Sequence, residues 1–561
     1  MTLNFGEAAL SRRDDDAAAD VLYHAGLREQ EAGRIDAAIA LFDQAMRLRP
    51  DFPEALFAGG YIMQSKGFAA GALTFYDRAL RLKPDYAVAW FNRGCILMEH
   101  KGYQPALESF DKACALKPGD ADWYCNRGAA LLSVGRAAEA AEVQRLALAL
   151  KPDLHKAALN LGNALMRLGC YSEAYDAYQR SVKISADYAP GHAGCGVALK
   201  EMGRFTESMR AFDEALRHDP QSDDALGNKG CLQLLLGDFA AGWEGYENRW
   251  YFAERPTPIS TAKFNLLAPR TLAGRKILVV NDHGLGDTIQ FFRYVALLAE
   301  AGAEMTFACP PKMWRLLGSS GVNVAWRDEK DQSGLFDATL ALSSLPRACD
   351  TRLEIIPAPI PYLHAEPERV AYWRGRMAGE GTKIGLCWSG SSDFRVDPRR
   401  SIPPAQMAPL AGLTHARFFS LQKEDVTSPF PEALEARLTR FDGFDSGPDA
   451  FIDTAAIMAN LDLIITCDTS IAHLAGALGR PVWLGLKHVP EWRWMVERLD
   501  SPWYPSMRLF RRASGSDWEC LFREIADAIS KDIPDVEYDS AEMSRGAMGE
   551  HWKICASTSR V

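Results

Sequence analysis

The residues best placed to do chemistry stand where an apolar run hands over to a helical one. In CDTSIAHLAGALGRPVW, Cys467 to Trp483, a hydrophobic strand ends at Asp468 and Thr469 and a helix begins at once. The unpaired N–H groups and positive dipole end of such a helix favour a diphosphate, and the hydroxyls of Thr469 and Ser470 add donors. His473 lies one turn in, within reach of a phosphate or sugar oxygen, although a capped helix with a buried structural histidine would read the same way. A second junction, His283-Gly284-Leu285-Gly286-Asp287, follows the apolar run ILVVN and precedes the helical pattern TIQFFRYVALLAEAG. Glycine turns of this kind are common, and Gly284 and Gly286 need only permit a tight bend. His283 has the intrinsic pKa of a general base. A third stretch, SGSSDFRVDPRR from Ser389 to Arg400, combines small hydroxyls with arginines. Ser389 and Ser391 can donate to phosphate oxygens and Arg399 or Arg400 can neutralise a departing diphosphate, the alternative being a solvated basic loop. Gln422 and Lys423 end the strand RFFSLQ at the same edge of the sheet.

These junctions require strands that point their carboxyl ends at a common cleft. From Lys276 the pattern strand, turn, helix, strand repeats through EMTFAC, VNVAW and DATLAL, and it begins again at KIGLCWSG. It then runs through DLIITC, TSIAHLAGALG and PVWLGL. Two open parallel sheets follow, a pair of Rossmann-like lobes at 273–365 and 380–531 in a GT-B arrangement, with ligands beyond the carboxyl ends of the strands. The mixed polar residues 535–561 read as a flexible tail. No Asp-x-Asp pair stands at a strand end near the Ser389 to Arg400 loop, so no metal and no cofactor is expected.

The amino-terminal half has a different texture. Written in lines of thirty-four residues, Gly26, Gly60, Gly94, Gly128, Gly162, Gly196 and Gly230 share one column, and Pro50, Pro84, Pro118, Pro152 and Pro220 share another. Ala38, Ala72, Ala106, Ala140 and Ala174 form a third. Small residues let two helices of a hairpin approach, and proline ends the second. Aromatics at Phe42, Tyr76, Phe110, Tyr178 and Phe212 are expected to fill the space between neighbouring hairpins. The repeats cover 17–250 as about seven units, and a proline-bearing connector follows at 251–272.

The columns together resemble the tetratricopeptide pattern, which implies an all-α solenoid that docks a protein partner. The segment around Asp468, Thr469 and His473 resembles the D-T-G-x-x-H motif of the heptosyltransferases, glycosyltransferase family nine, with Ser470 in place of its glycine. HGLGDTIQFFRY, CWSGSSDF, RRSIP, SLQKED, EWRW and DSPWYP extend that similarity over about residues 273 to 515. It implies inverting, metal-independent transfer from a nucleotide-sugar, ADP-heptose being one candidate, to a glycan or protein hydroxyl. It also implies Asp287 as the general base, with the Asp468 to His473 segment, the arginine loop, Gln422 and Lys423 contacting the donor. A carboxylate at a helix amino terminus is stabilised in its charged form, which makes it a weak base. The fold class expected is α + α/β. Two alternatives stay open: a repeat-fused transferase of the protein O-N-acetylglucosamine type, and a non-catalytic scaffold whose GT-B domain binds a nucleotide. The aromatics around Glu491 to Trp494 read as packing rather than site.

Composition sets outer limits. A formal net charge of -10 argues against a general phosphate-backbone binder, so no nucleic acid partner is expected. The twelve cysteines are scattered without a C-x-x-C pair, which fits reduced thiols in a cytoplasmic protein. No signal peptide or membrane span is legible.

Overall fold

The computed structural model describes residues 4–249, 272–357, 360–390, 398–423 and 429–533. The expected connector, apart from residue 272, and the expected tail lie outside the described residues. The chain divides into two compact units, Met1–Leu199 and Lys200–Val561.

Among the described residues the amino-terminal half is entirely helical, from α1 (Asn4–Glu31) through α11 (Ala189–Glu201), α12 (Phe205–His218) and α13 (Asp223–Leu235) to α14 (Phe239–Tyr246). The glycine column has a direct cause. A Cβ at Gly26, Gly60, Gly94 or Gly162 would stand 2.6, 2.8, 2.6 or 2.4 Å from a ring carbon of Phe42, Tyr76, Phe110 or Tyr178. Each ring lies on the bare backbone of its own hairpin, so the aromatics fill the crossing within a hairpin and not only the space between hairpins. Tyr178 also reaches Gly194 of the next helix, at 2.5 Å from its Cβ position. At Gly128 the ring is replaced by Gln144, whose Nε2 donates to the Cys125 carbonyl at 2.8 Å. A further column with the same period sits in the turns: Gly33, Gly67, Gly135, Gly169, Gly203 and Gly237 have φ between 74° and 92°, and Lys101 takes that place in the third hairpin with φ 61°.

The second unit starts with the last two residues of α11 and contains both sheets. The repeat helices run on to Tyr246, and the compact units divide earlier, at 199/200. The last repeat packs tightly on the half that follows it. Trp243 stands edge-on to Trp492 and Trp503 at ring separations of 5.2 and 6.5 Å, and its Nε1 donates to the Thr351 carbonyl at 2.9 Å. At Gly230 a Cβ would stand 2.6 Å from the backbone of Gly245 and Tyr246, so α13 and α14 cross backbone to backbone.

The first sheet is parallel, with β1 (Lys276–Val280), β2 (Glu304–Ala308), β3 (Val324–Arg327) and β4 (Ala338–Ala341) in the order β3-β2-β1-β4. α15 (Leu285–Glu300), α16 (Trp314–Gly318), α17 (Leu345–Ala348) and α18 (Pro367–Arg376) accompany it and lead to the second sheet. That sheet has six parallel strands, β5 (Thr382–Cys387), β6 (Ala416–Ser420), β7 (Leu438–Thr439), β8 (Leu463–Cys467), β9 (Val482–Leu486) and β10 (Met507–Arg511), in the order β10-β9-β8-β5-β6-β7. Between and after them run α19 (Glu432–Glu435), α20 (Ile452–Met458), α21 (Ser470–Ala477) and α22 (Trp518–Asp532). Helices cover both faces, which is why every residue of β8 and β9 is buried and why those strands read as unbroken apolar runs. Each sheet starts in its middle, grows to one side and then resumes on the other. The order reverses between β1 and β4 and between β5 and β8, and ligands in parallel sheets sit beyond the carboxyl ends at such reversals.

No helix among the described residues is long and apolar enough to cross a membrane. Ten cysteines among the described residues are free thiols.

Candidate functional site

β1 delivers the chain to Asn281, whose side chain shapes the turn: its Nδ2 donates to the His283 carbonyl at 2.9 Å and its Oδ1 accepts from Thr288 Oγ1 at 2.7 Å. Asp282 then lies across the strand-order reversal, its side chain wholly buried. Its carboxylate accepts from the Ser343 N–H at 3.0 Å, from the Ser343 hydroxyl and from Arg249 Nη2 at 3.0 Å, and it faces His283 Nδ1 at 3.1 Å. Burial alone would push this carboxyl up, but His283, Arg249 and Ser343 hold it far below the usual range. Burial likewise pulls His283 down, and the bond to Asp282 with the charges of Asp282 and Asp287 more than reverses this, raising its pKa above the ordinary value. With Nδ1–H directed at Asp282, the imidazole presents Nε2 as its acceptor. This is how a carboxylate fixes the tautomer and orientation of a general base.

Asp287 sits in the first turn of α15 and is paired with Arg493. Burial would raise its pKa, yet Arg493 and then His283 keep it below the usual carboxylate range. Arg493 is itself buried. Its Nε donates to Gln290 Oε1 at 2.5 Å, its Nη1 meets Glu491 Oε1 at 2.6 Å, and its guanidinium lies 4.4 Å from the Trp492 ring centre. The neighbouring Trp492 and Trp494 are packed in the core as expected, at 4% and 0% exposure. The arginine between them was the informative residue, since a cation in an apolar run must find a carboxylate when it is buried.

At the carboxyl end of β8, Thr469 caps α21 by accepting the Ile471 N–H at 3.3 Å. His473 meets the Tyr504 hydroxyl at 3.1 Å and stacks on Trp494 with ring centres 5.4 Å apart. Burial and the nearby Arg493 press its pKa down to about 3, so the ring is neutral. Burial raises the Asp468 carboxyl against the opposing pull of Arg400. The two junctions meet: a Cβ on Gly286 would stand 3.0 Å from His473 Cδ2 and 3.3 Å from Ser470 Cα. Glycine there lets the start of α15 face the start of α21, while Gly284 leaves open space at the same turn, its nearest neighbour being Asp287 Oδ2 at 3.6 Å.

Arg400 leaves a short helical turn at Pro398–Arg400 and crosses above Gly390, where a Cβ would be 2.8 Å from its Nη2 and 3.2 Å from Thr469 Cγ2. Ser389 is held beside it by its N–H, which donates to Gln422 Oε1 at 3.1 Å, and by its hydroxyl, 3.4 Å from Ser401 Oγ. Gln422 therefore shapes the loop. Arg399 is half-buried, and its charge falls on Glu201. Lys423 donates to the Asp445 carbonyl at 2.8 Å and is not part of the cluster. Ser391 lies outside the described residues. The structure thus brings together His283, Gly286, Asp287, Asp468, Thr469, Ser470, His473, Ser389 and Arg400. It adds Asp282, the chain neighbour of His283, together with Arg249 and Arg493, which sequence patterns missed because their partners Asp282 and Asp287 stand more than thirty residues away.

The tetratricopeptide repeat family models match residues 23–87, 91–155, 155–188 and 196–257. The helical half consists of tetratricopeptide repeats. A curated relative, Protein FlbA of Caulobacter vibrioides, is 26% identical over 331 residues, covering 54% of this chain and 54% of its own. The chain thus spans about half the length of that relative. Among solved structures, the repeats are similar to YrrB, a tetratricopeptide repeat protein with an unusual peptide-binding site, at 21% identity and a TM-score of 0.30, covering 34% of this chain and 97% of that one. PilF of Pseudomonas aeruginosa is also 21% identical, with a TM-score of 0.33, covering 38% of this chain and 96% of that one.

Proposed function

We propose that this chain is a glycosyltransferase that moves a sugar from a nucleoside-diphosphate sugar to a hydroxyl of a glycan or protein, the repeats docking the acceptor or a partner. The meeting of α15 and α21, at Gly286 and Ser470, is the main support. Two helix amino termini, each at the carboxyl edge of a parallel sheet where strand order reverses, face one another with Arg400 beside them. The crevice beside this contact, next to Arg400, favours a diphosphate, since helix amino ends and a guanidinium replace the charge a cation would otherwise supply.

Each side chain then has a role. Thr469, Ser470 and Ser389 donate to the phosphates, Arg400 neutralises the leaving diphosphate, and neutral His473 contributes a hydrogen bond rather than a charge. Acceptor activation falls to His283, whose imidazole Asp282 orients. Asp287, held ionised by Arg493, is the poorer base and instead favours the imidazolium that forms when His283 takes a proton. Sugar transfer needs the acceptor oxygen to attack the anomeric carbon as its bond to the diphosphate breaks, the proton passing to His283.

A thermal-shift panel of ADP, UDP and GDP with and without magnesium tests the reading, because a ligand that binds only the folded state raises its melting temperature. One nucleotide should stabilise the chain without magnesium, ADP favouring a heptose-type donor and UDP an N-acetylglucosamine-type donor. No shift with any of them would refute donor binding.

A further inference from the structure

Beside the crevice lies a cavity of about 310 Å³ that none of the sequence motifs accounts for. One wall comes from α13, through Asn228, Cys231 and Leu235, and the opposite wall holds Arg400, Asp468 and Glu491. The end of α11, which also lines the cavity, is fastened in place. Glu201, at the end of α11, accepts from Lys487 Nζ at 2.9 Å and meets Lys200 Nζ at 3.3 Å, all three side chains at most 20% exposed. Lys487 directly follows β9.

Resting on the donor-binding reading above, we infer that the first helix of the last tetratricopeptide repeat, α13, forms the wall of the pocket for the donor's sugar ring, with Cys231 and Asn228 setting which ring fits. The volume corresponds to roughly ten water molecules at ~30 Å³ each, which accommodates one sugar ring and not a whole nucleotide-sugar. Position decides between donor and acceptor. Arg400 and Asp468 border both the crevice and the cavity, so a ring carried on the second phosphate enters here, whereas an attacking hydroxyl must come from the opposite face of the anomeric carbon. The lining suits sugar hydroxyls. Asn228 uses its amide N–H groups on Asp224, at 2.9 Å to the carbonyl and 2.7 Å to Oδ1, which leaves its Oδ1 to accept from a ligand. Glu491 offers carboxylate oxygens, and Leu235 and Cys231 offer a small apolar surface. A repeat helix thereby becomes part of donor selection and not only an arm for partners.

The test uses the full chain and calorimetric titration with ADP, UDP and GDP, and with ADP-glucose, UDP-glucose, UDP-N-acetylglucosamine and GDP-mannose. Cys231→Trp, which fills the cavity, is expected to leave nucleoside-diphosphate affinity within about twofold and to weaken the nucleotide-sugar at least tenfold. Asn228→Ala, which leaves the wall's shape intact, should weaken the nucleotide-sugar alone by about threefold or more. The inference is overturned if Cys231→Trp and Asn228→Ala spare both ligand types, or lower both equally. It is equally overturned if they spare binding of both and abolish only transfer, which would make the cavity an acceptor site. A wild-type chain that binds no nucleoside diphosphate would bring down the donor-binding reading itself, and with it this one.

Discussion

Replacing Asp282 by Asn removes one charge from a fully buried carboxylate whose partners are Arg249, Ser343 and His283. Arg249 is 6% exposed and would lose its closest charged partner. Breaking a buried pair from one side costs about 3–5 kcal/mol, because the remaining charge stays out of water. At an unfolding entropy of ~2.1 cal/mol/K per residue, a unit spanning Lys200–Val561 moves its melting temperature by about 1.3 °C for each kcal/mol, so Asp282→Asn should lower the transition of the second unit by roughly 4–7 °C. The effect must depend on pH with a defined sign. His283 has a raised folded-state pKa, so its contribution is fully present below the unfolded value near ~6.5 and is lost as pH rises through the folded value. Asp282 has a depressed one, so its contribution is present above ~3.9 and is lost as pH falls through the folded value. The difference in stability between wild type and Asp282→Asn should therefore be largest between those limits and shrink above the His283 midpoint. Scanning calorimetry across pH 4 to 9 measures the first effect. Histidine-selective NMR titration measures the second, and the His283 midpoint should fall in the variant. A midpoint that does not move would show that Asp282 does not hold the imidazole, and the assignment of the base would fail.

Lys101 occupies a turn position that is glycine in the other hairpins, at φ 61°. Lys101→Gly should stabilise the first unit by about 1 kcal/mol, read from its denaturation midpoint, since a side chain there is strained. Glu201→Gln should weaken the pH dependence of stability in acid. The two lysines and Arg399 hold Glu201 down to about 2 against burial, so its contribution exists above ~4.3 and disappears as pH falls through about 2. A melting profile identical to wild type between pH 2 and 5 would contradict the buried triad. Asp287→Asn should slow donor turnover less than His283→Ala, as expected if the aspartate tunes the imidazole and does not itself take the proton; the reverse order, measured by nucleotide release, would restore Asp287 as the base.

The repeat was legible because its geometry is local. A glycine every thirty-four residues meets an aromatic ring sixteen positions on, and both kinds of residue are rare enough to stand out in register. The sheets were legible too, since strands covered on both faces are continuous apolar runs, and the chemistry-bearing residues fall at their ends. What stayed hidden was pairing across distance. Nothing adjacent to Arg493 says that its charge lies on Asp287, and Arg249 closes the repeats with no sign that it grips Asp282. The turn column at Gly33 and its relatives could have been read from spacing, and the departure at Lys101 with it. The packing of Trp243 against Trp492 and Trp503 could not, because only the folded chain brings those rings together.

The most direct check is calorimetric titration of the nucleoside diphosphate that stabilises the wild-type chain, repeated on Arg400→Ala. A hydrogen bond to a charged group is worth about 1.5–3 kcal/mol, so the variant should bind about 10- to 150-fold more weakly while melting at the wild-type temperature. Equal affinity in the two proteins would mean that the diphosphate is held somewhere other than the crevice between α15 and α21.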